Sequence, residues 1–154
     1  MAPHEGYPGP PGNVSADGGR GDIRLEVTTS VGTDGSERST DLRLRWQRRD
    51  PLTVWIEVDA RPDHPALPSG RWVVLRDFLR YGMDVRTGDG DVQVSPDPAA
   101  GLVYLDLARS RGACQVSIPA ALLEEFLTET ERRVPIGAER SDELLEAFIE
   151  KLMH

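Results

Sequence analysis

Histidine, cysteine and clustered carboxylates are the side chains of this chain best suited to chemistry, so their placement is the first thing to weigh. The three histidines are His4, His64 and His154. One sits in a Gly/Pro-rich stretch, one in a Pro-rich loop and one at the last position. A general base must be held by a rigid element within hydrogen-bond reach of its target, and none of the three has such a support. Cys114 alternates with Val116 and Ile118, which puts its thiol on an apolar strand face, where cysteine packs as a small hydrophobe. A reactive thiol needs an accessible, electropositive setting instead. Thr87-Gly88-Asp89-Gly90-Asp91 has residue types suited to a cation or phosphate loop. It lacks the downstream bidentate acid of a calcium loop and the Lys-Ser/Thr pair of a nucleotide loop. It reads as a glycine-rich turn between a helix and a strand. We expect no catalytic, cofactor-binding or metal-binding residue.

One polar constellation remains. Arg43, Arg45, Gln47 and Arg49 alternate with Leu42, Leu44 and Trp46, so strand periodicity sets them on the opposite face. The following strand offers Thr53, Trp55 and Glu57 beside them. Tryptophan next to arginine on an open sheet can stack on bases or serve as an interface hot spot. It can equally be a solvated face balanced by Glu26, Asp41, Glu57 and Asp59. The residues leave these three readings open, and Arg43, Arg45, Arg49 and Trp55 are the candidate partner-binding residues.

The elements that must position them follow from periodicity. Residues 1–21 contain six Gly and four Pro, cannot bury enough apolar surface to offset their ordering entropy, and read as a disordered tail. Residues 22–154 read as one domain. From Asp22 the chain alternates every two residues: Ile23, Leu25 and Val27 point one way, Arg24, Glu26 and Thr28 the other. Similar strands follow at Leu42–Trp46, Leu52–Val58 and Arg71–Val74, with Asp50-Pro51 as a turn signal and residues 61–70 as a loop. Short links imply an antiparallel meander. Leu75–Tyr81 reads as a short helix stopped by Gly82. Three or four more strands follow, including Val103–Leu107 and Cys114–Ile118, with a tight turn at Arg111-Gly112. Ser117 and Pro119 open a helix with an apolar stripe from Leu122 to Val134. Glu124, Glu125, Glu129 and Glu131 lie opposite that stripe and read as a solvated face. Ser141 caps a last helix. The fold class is α+β, with two antiparallel meanders of seven or eight strands in all, a short helix between them and two C-terminal helices.

Composition narrows the function further. The net charge of -8 and pI of about 4.9 disfavour non-specific binding to nucleic acid or anionic lipid. One cysteine cannot close an internal disulfide. No apolar run approaches the ~18–20 residues needed to cross a bilayer, and the start has no secretory pattern. The chain reads as cytoplasmic.

Several pieces of the sequence resemble one family in order and spacing. Asp50-Pro51, Trp72-Val73, Arg76-Asp77, Leu79, Gly82, Thr87-Gly88 and Gly90-Asp91-Val92 are similar to the centre of the SsgA-like proteins of actinobacteria. Phe126-Leu127, Thr130, Val134-Pro135, Gly137 and Glu139 extend the likeness. The stretch before Asp22 and the loop from Arg61 to Gly70 are longer than that pattern. The resemblance implies a Whirly-like fold assembled as a homotrimer, with no enzymatic activity and no cofactor. It implies control of septum placement and sporulation at the division septum. The implied partners are the tubulin-like division protein FtsZ and other SsgA-like proteins, with single-stranded nucleic acid as the alternative.

Overall fold

Strands dominate because β-branched and leucine side chains recur at every second residue, each strand burying one face and wetting the other. The computed structural model describes residues 12–17, 21–33, 36–59, 70–109, 112–137 and 142–153. The first meander comprises β2 (Asp22–Thr33), β3 (Ser36–Gln47), β4 (Asp50–Val58) and β5 (Gly70–Leu75); the second comprises β6 (Thr87–Asp89), β7 (Val92–Asp97), β8 (Leu102–Arg109) and β9 (Gly112–Pro119). A further strand, β1 (Gly12–Asp17), precedes them. Helix α1 (Arg76–Gly82) links the meanders, and α2 (Ala120–Arg133) and α3 (Asp142–Leu152) end the chain. All pairings are antiparallel, in the order β5-β4-β3-β2-β9-β8-β7-β6, with β1 on β2. The α+β class and the two meanders thus match the sequence-based expectation, with nine strands among the described residues where seven or eight were expected.

Strands β1 and β6 correct the reading at particular places. Gly12–Asp17 fall inside the expected tail, yet they pair residue for residue with Val27–Asp22 of β2. Their pattern is too polar to announce a strand; it is the backbone ladder and one half-buried side chain, Val14, that hold them. Thr87–Asp89 pair with Val94–Val92, so the Gly-rich segment is a hairpin with Gly90 at φ 67°, a conformation glycine adopts without strain. His4, His64, His154, Ser141 and most of the 61–70 loop lie outside the described residues.

One core serves both meanders. Leu44, Trp46, Val54 and Ile56 from the first and Val94, Leu105, Val116 and Ile118 from the second are fully buried. Leu123, Phe126 and Leu127 of α2 complete the same cluster. The meanders join at a narrow seam, where among the described residues Val31↔Val116 and Gly32↔Gln115 pair across β2 and β9. Thr29 extends it with its side chain: Oγ1 donates to the Ser117 carbonyl at 2.6 Å and accepts from the Ser117 N–H at 3.0 Å. Ser117 is therefore a strand residue and not the expected helix cap; α2 starts after Pro119 with no side-chain cap. On the far side Trp72 Nε1 donates to the Ala108 carbonyl at 2.9 Å, tying β5 to β8.

Two turn signals also have other physical causes. Gly82 is the last residue of α1, followed by Met83 in the right-handed region. No left-handed stop is used; a Cβ at Gly82 would overlap the Val94 side chain, so close packing demands glycine. Asp50-Pro51 opens β4 rather than forming the turn. The Pro51 carbonyl accepts from Trp46 Nε1 at 2.9 Å, and the Asp50 carboxylate meets Lys151 of α3 at 2.8 Å. Val134 lies just past α2 with an extended backbone.

Candidate partner-binding surface

The face of β2–β5 turned away from the core carries the candidate side chains, and strand register sorts them into rows. One row runs Asn13, Glu26, Arg43, Glu57, Arg71. The neighbouring row runs Ser15, Arg24, Arg45, Trp55, Val73. Opposite charges directly across a strand pair stabilise it and like charges do not. The first row alternates in sign. The second sets Arg24 against Arg45 and then places an aromatic ring beside them.

Geometry shows how these groups share charge. Arg43 donates two hydrogen bonds to Asp59, both at 2.9 Å, and that bonding holds its guanidinium above the ordinary arginine range. Glu57 lies 3.7 Å from Arg43, 3.8 Å from Arg71 and 3.9 Å from Arg45. The Arg71 guanidinium stands over the half-buried Trp55 ring, 4.6 Å from its centroid, a cation–π contact that covers one face of the indole. The strands therefore bring Arg43, Arg45 and Trp55 together as expected. Arg49 is not with them: it is exposed in the β3–β4 turn, because the register shifts between Trp46 and Gln47 and ends the alternation. Arg24 and Arg71 are members of the surface that the sequence reading did not select. Alternation alone sets Arg24 outward, but only the pairing register puts it opposite Arg45.

The remaining chemistry-bearing groups are accounted for by packing. A polar groove of about 280 Å³ opens beside this face, lined by Gly12, Asn13, Glu26, Thr28, Asp41 and Arg43. Among the described residues no group of His, Cys, Asp and Glu is arranged to hold a metal ion. Cys114 is buried, and burial, with Asp106 adding to it, pushes its thiol up to about 11. The acidic side of α2 is more than a solvated face. Arg80 of α1 donates to Glu131 through two nitrogens at 2.9 Å and to Glu124 at 2.8 Å. Burial pulls the Arg80 guanidinium down, yet these carboxylates outweigh it and hold it above its ordinary value. The same contact holds Glu124 below the usual glutamate range.

With the fold and surface in place, the chain can be set beside known proteins. The family model described as Streptomyces sporulation and cell division protein, SsgA, matches residues 40–139. The chain belongs to the SsgA family. Among its relatives is the sporulation-specific cell division protein SsgB of Streptomyces coelicolor, 34% identical over 98 residues, covering 62% of this chain and 69% of that protein. SsgB of Salinispora tropica is 28% identical over 134 residues, covering 84% of this chain and 92% of that one. A solved structure described with SsgB mutations that correlate to longitudinal cell division during sporulation of Streptomyces coelicolor superposes with a TM-score of 0.67 at 28% identity, covering 78% of this chain and 94% of its own. The SsgA-like sporulation-specific cell division protein of Thermobifida fusca shares the fold, with a TM-score of 0.67 at 24% identity over 88% of this chain and 96% of that one. Membership in the SsgA family ties the chain to sporulation and cell division. Strand β1 and the row-forming residue Arg24 lie outside the matched span, whereas Arg43, Arg45, Trp55 and Arg71 lie within it. Among the described residues of this family member, no helix is long and apolar enough to cross a membrane.

Proposed function

We propose that the chain is a non-enzymatic docking protein of sporulation septation that engages division proteins, FtsZ among them, through the outward face of β2–β5. One observation carries this reading: Trp55, Arg45 and Arg71 stand together, partly accessible, on the neighbouring strands β4, β3 and β5 in a member of a division-protein family. Tryptophan and arginine on a rigid frame are the residue types that concentrate binding energy at protein interfaces. The cell compartment of this reading is the cytoplasm at the septum. Its assembly is a homotrimer, for which the exposed Ile149 and Leu152 of α3, Met153 just after it, Tyr81 of α1 and Val85 beyond α1 offer apolar surface.

The test is capture of purified FtsZ by the immobilised chain. Trp55→Ala should weaken capture at least tenfold, while Gln93→Ala, on the outward face of the second meander, should leave it unchanged. Failure of the unaltered chain to capture FtsZ would overturn that partner. Equal capture by both variants would move the site elsewhere. Single-stranded nucleic acid is the competing ligand. A base stacking on Trp55 from the covered side would have to displace Arg71, which supports the protein partner. Titration with a labelled single strand at rising salt settles it, since phosphate contacts weaken steeply as salt increases.

A further inference from the structure

The outward row Arg24, Arg45, Trp55, Val73 changes character from β2 to β5. Its β2–β3 half is cationic: Arg24 is exposed, and 33% of the Arg45 side chain is accessible. Its β4–β5 half is apolar, with Trp55 and Val73 both half-buried. Arg24 and Arg45 are direct cross-strand partners. Like charges set opposite one another destabilise a strand pair, so the fold keeps these two together against its own stability.

The carboxylates of this face serve the neighbouring row. Asp59 accepts both hydrogen bonds of Arg43, and Glu26 stands opposite Arg43. Glu57 lies 3.9 Å from Arg45, but 3.7 Å from Arg43 and 3.8 Å from Arg71. One carboxylate shared among three guanidinium groups leaves positive charge in excess at Arg45 and at Arg24 beside it. Cβ atoms of opposed residues stand ~4.5–5.5 Å apart, so the two oxygens of one further carboxylate can bond both guanidinium groups in the planar manner that arginine favours.

We infer, on the strength of the docking role proposed for this face, that the partner segment is acidic and apolar: one of its carboxylates is clamped between Arg24 and Arg45, and a neighbouring apolar side chain lies on Trp55 and Val73. Binding relieves the repulsion that the empty pair carries. A run of phosphates fits less well. Its regular charge would pass over Glu26, Asp41, Glu57 and Asp59 on the same face, and the net charge of -8 opposes a long polyanion. An isolated carboxylate is governed by the two arginines, since charges beyond ~8 Å are screened at physiological salt.

The test is titration of the full chain with labelled peptides built from repeats of Glu-Gly-Leu, Gln-Gly-Leu or Lys-Gly-Leu, followed by fluorescence anisotropy. The Glu peptide should bind and the other two should not. Arg24→Gln and Arg45→Gln should each weaken it about tenfold, as loss of a hydrogen bond to a charged group does. Arg86→Gln, exposed between α1 and β6, should leave it unchanged. The double variant Arg24→Glu with Arg45→Glu should reverse the preference and take the Lys peptide, an outcome that loss of folding does not produce. Absence of binding by the Glu peptide, equal binding of the Glu and Gln peptides, or full affinity in both single variants would overturn the inference. So would a labelled oligothymidine that binds more tightly than the Glu peptide and is lost in the same variants, which would assign the pair to phosphate. FtsZ is not present in this titration, so its result is independent of FtsZ capture: peptide binding without capture removes that partner and keeps the chemistry, and capture without peptide binding does the reverse.

Discussion

On the first meander the outward side holds Arg24, Arg43, Arg45 and Arg71 among Glu26, Asp41, Glu57 and Asp59, with Trp55 between them. On the second, the outward rows of β7–β9 read Gln93, Asp106, Gln115 and Ser95, Tyr104, Ser117. The polar bonds there are local, as in Gln115 donating to Asp106 at 2.8 Å. Inside, the two meanders are hard to tell apart, because both contribute the same aliphatic types to one cluster. The contrast teaches that burial constrains only one side of each strand. The wet side is free to differ, and in this molecule the charge and the accessible indole are concentrated on one meander.

If the core is truly shared, equivalent cavities should cost the same on either side. Leu44→Ala in β3 and Leu105→Ala in β8, both fully buried, should each lower stability by ~2–5 kcal/mol in urea denaturation. A single transition should persist in both. Two separate transitions would show the meanders to be independent units. The seam between them should be the next most sensitive point. Thr29→Val removes the hydroxyl that bonds both backbone groups of Ser117. The variant should lose ~1–3 kcal/mol, the cost of leaving buried polar groups unmatched; an effect near zero would mean that the two ladder pairs suffice.

The smallest effect is expected at the helical link, and it should depend on pH. Arg80 holds the Glu124 pKa below its ordinary value, so the contact stabilises the fold at neutral pH. The benefit begins to fade as pH falls below the ordinary glutamate range, near ~4.3. It is gone once pH drops through the folded-state value. Because 52% of the Glu124 side chain is exposed, Glu124→Gln should cost only ~0.2–1 kcal/mol at pH 7. The gap in melting temperature between the two proteins should close as pH falls through the lowered folded-state value of Glu124. A gap that persists in acid would mean that packing, not charge, links α1 to α2.

Alternation by itself determined the inward residues only where the pattern was strong. Ile23, Leu25, Leu42, Leu44, Val54, Ile56, Leu105 and Ile118 are legible because burial of one strand face forces every second residue to be apolar. The same rule made Arg43, Arg45 and Trp55 legible as outward neighbours. It could not reveal β1, since a strand held by its backbone ladder and a single valine leaves no hydrophobic period. Nor could it show that Arg49 falls in a turn, that Gly82 is needed by Val94, or that Ser117 bonds Thr29 across 88 positions of sequence. Those facts depend on register and on which distant segments meet. Periodicity is a property of one strand at a time, whereas register and close approach are decided only when the strands pack against each other.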